Sequence, residues 1–108
     1  MVVTLSTEHI TDWETFHAEC ARVFGFPQFY GRNMNAWIDC LSYLHDNDGM
    51  CRVVLAPDDH ILSVRVRNFK QFSARLPDIC DALLTYTASV NWRYSESGEY
   101  TRIALILE

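Results

Sequence analysis

Apolar residues recur at intervals of three and four along three stretches of the chain, about residues 12–24, 33–45 and 77–91. This spacing places side chains on one face of an α-helix. In the second stretch the pattern puts Met34, Trp37 and Leu41 on the buried face. We therefore predict three amphipathic helices.

Residues that start and stop helices bound these stretches. Thr11 or Asp12 can cap the first helix, and Gly25 ends it. Asn33 is the predicted N-cap of the second helix, and Pro77 suits the first turn of the third.

The remaining apolar runs predict strands. Short runs at residues 1–6 and 102–107 are rich in Val, Ile and Leu, and residues 51–56 form a nearly continuous apolar run typical of a central parallel strand. Residues 60–72 alternate apolar and polar side chains at first, which indicates an edge strand, whereas their later part is compatible with a helix.

This order of elements predicts the fold class. Strands separated by helices cannot form tight hairpins, so they pair in parallel. We predict one α/β domain over residues 1–108. Its small, mainly parallel sheet has three central strands, with a possible fourth at the edge, and packs with three to four helices.

Composition excludes several classes of protein. No run reaches the eighteen or more apolar residues of a membrane span, and the first residues lack the features of a signal peptide, so we expect a cytoplasmic protein with no membrane role. The four cysteines show no metal-binding spacing, and we expect free, buried thiols. They are Cys20, Cys40, Cys51 and Cys80.

The net charge of −5 is unevenly distributed. Residues 1–50 hold seven acids and two bases, whereas residues 51–108 hold seven of each. A negative surface on the first half would steer a positively charged partner towards it.

The outward face of the second predicted helix is poor in charge. An ordinary solvated face would carry several Lys and Glu residues. Here Asn35, Asp39 and Ser42 point outward, Ile38 lies at the border, and Phe29 and Tyr30 precede the helix in an aromatic turn. Such a composition is typical of the centre of a protein interface, although the three apolar side chains equally fit the core of a small domain.

The same residues carry a family resemblance. The run Phe26-Pro27-x-x-Tyr30-Gly31-x-Asn33-x-x-Ala36-x-x-Asp39-Cys40-Leu41 resembles the barstar family of ribonuclease inhibitors, and residues 81–107 resemble longer bacterial members. The resemblance implies the barstar fold and a role as an immunity protein or antitoxin. It implies a monomer when free and a 1:1 complex with a cationic ribonuclease or nuclease-type toxin.

The resemblance also implies a mechanism and a set of partner-binding residues. Asp39 would take the place of the substrate phosphate, and Phe29 would pack over the catalytic base. Gly31 and Asn33 would set the geometry of the helix start, while Asn35, Ile38 and Ser42 would keep water from Asp39. The implied surface is Phe29, Tyr30, Gly31, Asn33, Asn35, Ile38, Asp39, Ser42 and Asp46.

The chain departs from the family pattern in this region. Residue 29 is Phe instead of tyrosine, residue 35 is Asn instead of aspartate, and residue 38 is Ile where barstar has tryptophan. Arg32 replaces an acid, and the acid that barstar carries on its last helix has no clear counterpart, with Glu96 and Glu99 as possible substitutes. These changes put the identity of the partner in question.

Other functions find little support in the sequence. Asp39, Cys40 and His45 are close in sequence, but Cys40 points about 100° away from Asp39 on a helix. We predict no enzyme activity, no cofactor, no metal site and no direct nucleic-acid binding, since Arg65, Arg67 and Lys70 form the one basic cluster of an acidic chain. The alternative to an inhibitor is a regulatory module that binds a non-nuclease partner through the same helix.

Overall fold

A three-stranded parallel sheet forms the centre of the fold. The computed structural model describes residues 1–108, and its strands are β1 (Val2–Leu5), β2 (Ile61–Val66) and β3 (Arg102–Leu107). β2 lies in the middle and pairs with both neighbours, so that Val64 stands between Val3 and Leu105.

Four α-helices pack with this sheet. They are α1 (Trp13–Phe24), α2 (Met34–Leu41), α3 (Phe69–Arg75) and α4 (Pro77–Glu96), and a single 3-10 turn (Thr7–His9) follows β1. α4, the longest, contacts both α2 and β3. The predicted small α/β fold with a parallel sheet and three to four helices is confirmed.

Local sequence explains where the helices begin. The Asp12 carboxylate accepts a hydrogen bond from the Thr15 N–H at 2.8 Å, and the Thr15 hydroxyl accepts one from the Asp12 N–H at 3.0 Å. This reciprocal capping box satisfies backbone donors that the first turn leaves free. Of the two predicted caps, Asp12 is therefore the one used. Gly25 ends α1 in the left-handed conformation, at a φ of 70°.

Twenty-four buried apolar residues form one core cluster. It takes one face of β2 together with the inner faces of the helices, and Trp37, Phe16, Phe24 and Phe72 are its largest fully buried side chains. Trp37 and Leu41 lie on the buried face of α2, as the spacing predicts, and Met34 packs against the cluster while partly exposed.

The prediction of a central strand at residues 51–56 is wrong. This segment is irregular, and its backbone bonds to the end of α1 and to the turn after α2 instead of to a strand. The N–H of Arg52 donates to the Phe24 carbonyl at 3.1 Å, and the N–H of Leu55 donates to the Leu44 carbonyl at 2.6 Å. The segment is apolar because it is partly buried beneath the end of α1 and the turn after α2. Burial of this kind selects the same residue types as pairing within a sheet does.

The prediction of an edge strand within residues 60–72 is also wrong. Ile61–Val66 is the central strand β2, and the second half of the segment is helical, as the alternative interpretation held. The alternation arises because only one face of the sheet is covered: Leu62, Val64 and Val66 are buried, whereas Ser63 and Arg65 are partly exposed on the other face.

Two helix ends differ from the predicted bounds. α2 stops at Leu41, four residues before the predicted end, and α4 continues to Glu96, five residues beyond residue 91. All four cysteines are buried, as predicted. No helix combines the length and apolar character needed to cross a bilayer.

Candidate partner-binding surface

A short turn leads from α1 to α2 and sets the direction of α2. The Tyr30 N–H donates to the Pro27 carbonyl at 2.9 Å, which closes the turn. The Asn33 side chain accepts a hydrogen bond from the Ala36 N–H at 2.8 Å and donates to the Gly31 carbonyl at 3.2 Å. Asn33 is thus the N-cap of α2, as predicted, and it ties the helix start to the turn.

Arg32, and not Gly31, holds the left-handed backbone position in this turn. Its φ is 51°, one of two positive values among the non-glycine residues, and such a conformation costs about 1 kcal/mol or more. Gly31 matters for another reason. A Cβ added there would lie 3.1 Å from the Asn33 amide nitrogen, so a larger residue would crowd the cap.

The two aromatic residues of the turn point in opposite directions. Phe29 is 73% exposed, the state expected of a residue that meets a partner. Tyr30 is buried, and its hydroxyl shares a hydrogen bond of 2.6 Å with Nδ1 of His17. Burial lowers the pKa of His17 and raises the pKa of Tyr30, so this pair is neutral at pH 7. The structure therefore places Tyr30 in the core, where it supports the turn that carries Phe29.

The outward face of α2 is narrower than predicted. Asn35 and Asp39 are exposed and Ser42 is half-buried, but only 9% of Ile38 is accessible. Ile38 packs into the core cluster, because α2 is enclosed by neighbouring elements on more of its circumference than its buried stripe indicates. Ile38 thus lies in the core behind the outward face of α2 and is not part of that face.

Asp39 is paired within the chain. Nη1 of Arg93 donates to Oδ1 of Asp39 at 2.9 Å and to the Ser42 hydroxyl at 3.2 Å. Both charged side chains remain open to solvent, with 62% of the Asp39 side chain and 49% of the Arg93 side chain exposed. The sequence alone does not predict this contact, because it joins residues 54 positions apart on two helices.

The residue next to Arg93 fastens α4 to the end of α2. The buried Tyr94 hydroxyl donates to the Leu41 carbonyl at 2.7 Å and accepts from the Leu44 N–H at 3.0 Å. Burial raises the pKa of Tyr94 to about 12. These bonds satisfy backbone groups that the early end of α2 leaves unpaired, and they hold the Asp39 end of the helix in place.

An acidic groove continues the surface beyond α2. It has a volume of about 490 Å³ and is lined by Ser42, Asp46, Asp48 and Glu99, among others. The Asp46 carboxylate accepts the Asp48 N–H at 2.9 Å, which orders the turn. Glu99, from the loop before β3, therefore lines the same groove as Asp46, whereas Glu96 does not line it.

The remaining chemical candidates are not assembled into a site. Cys40 is buried while Asp39 is exposed, so the two side chains do not face one another. Nε2 of His45 lies 2.8 Å from the Thr101 hydroxyl and serves a structural contact. No three His, Cys, Asp or Glu side chains are grouped so as to hold a metal ion.

Comparison with known protein families finds a match. The family model described as barstar (barnase inhibitor) matches residues 1–106 of the 108-residue chain. A search of curated proteins finds no match. Members of the matching family are inhibitors and not enzymes, which supports a ribonuclease-inhibitor-like role and a ribonuclease as the partner. Because the match covers nearly the whole length, the chain belongs to the barstar family.

Proposed function

We propose that this protein inhibits a cationic ribonuclease by covering its active site with the turn at residues 29–33 and the outward face of α2. The observation that carries the proposal is the exposure of Phe29 and Asp39 on either side of a capped helix start, in a chain of the barstar family. Aromatic side chains are enriched at the centre of interfaces, and a close charge pair across an interface can contribute strongly to binding.

Asp39 is the central residue of the proposed mechanism. A carboxylate offers two oxygens to guanidinium and ammonium groups, much as a substrate phosphate does, and hydrogen bonds between ionised groups are the strong ones. In the free protein Oδ1 of Asp39 is engaged, whereas Oδ2 makes no hydrogen bond within the chain. Oδ2 is thus available to a cation of the ribonuclease.

Phe29 and the acidic groove act around this centre. Phe29 supplies apolar area that displaces water from the ribonuclease site, so the charge pairs at Asp39 form in a medium of lower dielectric constant. Asp46, Asp48 and Glu99 lie at the rim, where acids raise the rate of association with a cationic partner more than they slow dissociation. We propose a 1:1 complex formed in the cytoplasm by a protein that is monomeric when free.

The test measures both inhibition and binding, with purified barnase as the probe. Wild-type protein is expected to abolish RNA cleavage near equimolar ratio. Asp39→Ala is expected to weaken binding by about 2–5 kcal/mol, because the cations that faced it are left unpaired. Calorimetric titration gives the affinity of each variant.

Asp46→Ala and Asp48→Ala serve as matched controls. Each removes one acid from the rim and is expected to change the association rate and its salt dependence more than the dissociation rate. Melting curves complete the test, since Asp39 is exposed and its pair with Arg93 is worth at most about 1 kcal/mol. If Asp39→Ala binds like wild type, or melts far below it, the α2 face is structural and the proposal is refuted.

A further inference from the structure

The Asp39 carboxylate already has a cation bound to it in the free protein. Nη1 of Arg93 reaches Oδ1 of Asp39 at 2.9 Å, and the pair lies on the exposed side of α2 and α4. The other N–H groups of Arg93 make no hydrogen bond within the chain. Arg93 therefore occupies the Oδ1 side of this carboxylate, one of the two positions that cations of the partner would otherwise take, and leaves Oδ2 open.

We propose that Arg93 is a specificity-determining residue that competes with the partner's cation for Asp39. The inference rests on the proposed function, because it assumes that Asp39 meets a cation of a ribonuclease. It adds a constraint on that partner. A ribonuclease whose site is cationic throughout is disfavoured, and one that leaves space or an acceptor for the Arg93 guanidinium is selected.

The Arg93 guanidinium can separate from Asp39 at little cost, but the backbone of Arg93 is fixed beside α2. Both side chains of the pair are about half-exposed or more, so separating them costs little. The backbone of Arg93, however, is held beside α2 because the neighbouring Tyr94 is buried and bonded to Leu41 and Leu44. The guanidinium can swing away from Asp39 while its positive charge stays within the surface, where it faces the cations of the partner.

A purely structural role for the pair makes the opposite prediction. If Arg93 only braced α2 against α4, its loss would lower the melting temperature and would not strengthen binding. If Arg93 instead contacted an acidic group of the partner, its loss would weaken binding. The direction of the change in affinity therefore separates competition from both alternatives.

The experiment compares wild type with Arg93→Gln and Arg93→Glu. Gln removes the charge and retains most of the side-chain length, and Glu reverses the charge. Arg67→Gln is the matched control, because Arg67 is exposed at the end of β2 and its side chain makes no hydrogen bond. Each protein is titrated with barnase and, separately, with a hexa-arginine peptide that carries cations but no ribonuclease fold.

The expected order of affinity for both probes is Arg93→Glu, then Arg93→Gln, then wild type. The gain for Arg93→Gln is expected to be about three- to fivefold, which is the upper part of the range for releasing an exposed ion pair, while Arg67→Gln stays within about twofold of wild type. In an Asp39→Asn background the gain from Arg93→Gln should disappear, because competition requires the carboxylate.

The outcomes test the competition at Asp39 and the proposed inhibitor function separately. Equal or weaker binding of Arg93→Gln overturns the competition, as does a gain that persists with Asn at position 39. If no protein binds barnase but the peptide still prefers Arg93→Gln, the proposed function is refuted and the competition at Asp39 stands. If the peptide shows no preference in that case, both are refuted.

Discussion

Replacement of Tyr94 by phenylalanine tests how α4 positions the Asp39 end of α2. The change deletes one hydroxyl and keeps the ring, so it removes the bond donated to the Leu41 carbonyl at 2.7 Å and the bond accepted from the Leu44 N–H at 3.0 Å. Both bonds are buried, and water does not replace them without local rearrangement.

The magnitude follows from the groups left without a partner. A buried donor or acceptor that loses its hydrogen bond costs about 1–3 kcal/mol. Two such groups are affected, and relaxation of the turn after Leu41 offsets part of the cost, so we expect the free energy of unfolding to fall by about 2–4 kcal/mol. For a chain of this size the corresponding decrease in melting temperature is about 8–16 °C.

Thermal and urea unfolding of Tyr94→Phe measure this decrease. Tyr43→Phe is the control, because Tyr43 is half-exposed, lies in the turn that Tyr94 holds, and donates no hydrogen bond from its hydroxyl within the chain. It is expected to change the free energy of unfolding by no more than about 0.5 kcal/mol. Equal stability of Tyr94→Phe and wild type would refute the idea that these two bonds secure the end of α2.

Two further predictions concern buried polar groups and thiols. Burial by itself raises the pKa of Glu19, but hydrogen bonds from Arg22 and from the Ser6 N–H outweigh burial and leave the pKa below its ordinary value of 4.5. Stability contributed by the Glu19 carboxylate is therefore present above about pH 4.5 and lost as the pH falls through the lower, folded-state value. Melting temperatures from pH 7 to pH 3 should show Glu19→Gln less stable than wild type at pH 7 and the two converging at low pH; a constant difference would contradict this. Burial also raises the pKa of Cys20 and of Cys51 to about 12, so native protein should resist alkylation at pH 8, whereas unfolded protein should react at all four cysteines. Mass analysis of native protein that revealed a stoichiometric disulfide would contradict free thiols.

Helix starts were predictable because the signals that set them are local. Asp12 and Asn33 cap the helices that follow them, and Pro77 begins α4. Each of these residues acts on backbone groups within three or four positions, so their effect is visible in sequence. The exposure of Asp39 also agrees with the prediction, whereas the pattern left open whether Phe29 lies on the surface or in the core. The parallel, helix-linked sheet followed from the order of the elements.

Sheet order was not predictable, because it depends on which segments meet in space. Residues 51–56 have the composition of a buried strand but bond to the end of α1 and to the turn after α2, while residues 61–66 look like an edge strand and form the centre of the sheet. The composition of a segment indicates how much of it is buried. Composition does not indicate whether the segment is buried by pairing with a strand or by packing against a helix end.

The residues of the candidate surface were likewise predictable from the sequence only in part. The sequence by itself determined that an acid at position 39 follows a capped helix start and an aromatic turn, since these features lie within about ten residues of one another. Only the tertiary structure decided that Tyr30 and Ile38 turn into the core, that Glu99 joins Asp46 in one groove, and that Arg93 pairs with Asp39. The burial of Tyr30 depends on α1, which supplies His17, whereas the contacts of Arg93 and Glu99 depend on α4 and the loop before β3 meeting the end of α2. No pattern within a single segment specifies these contacts.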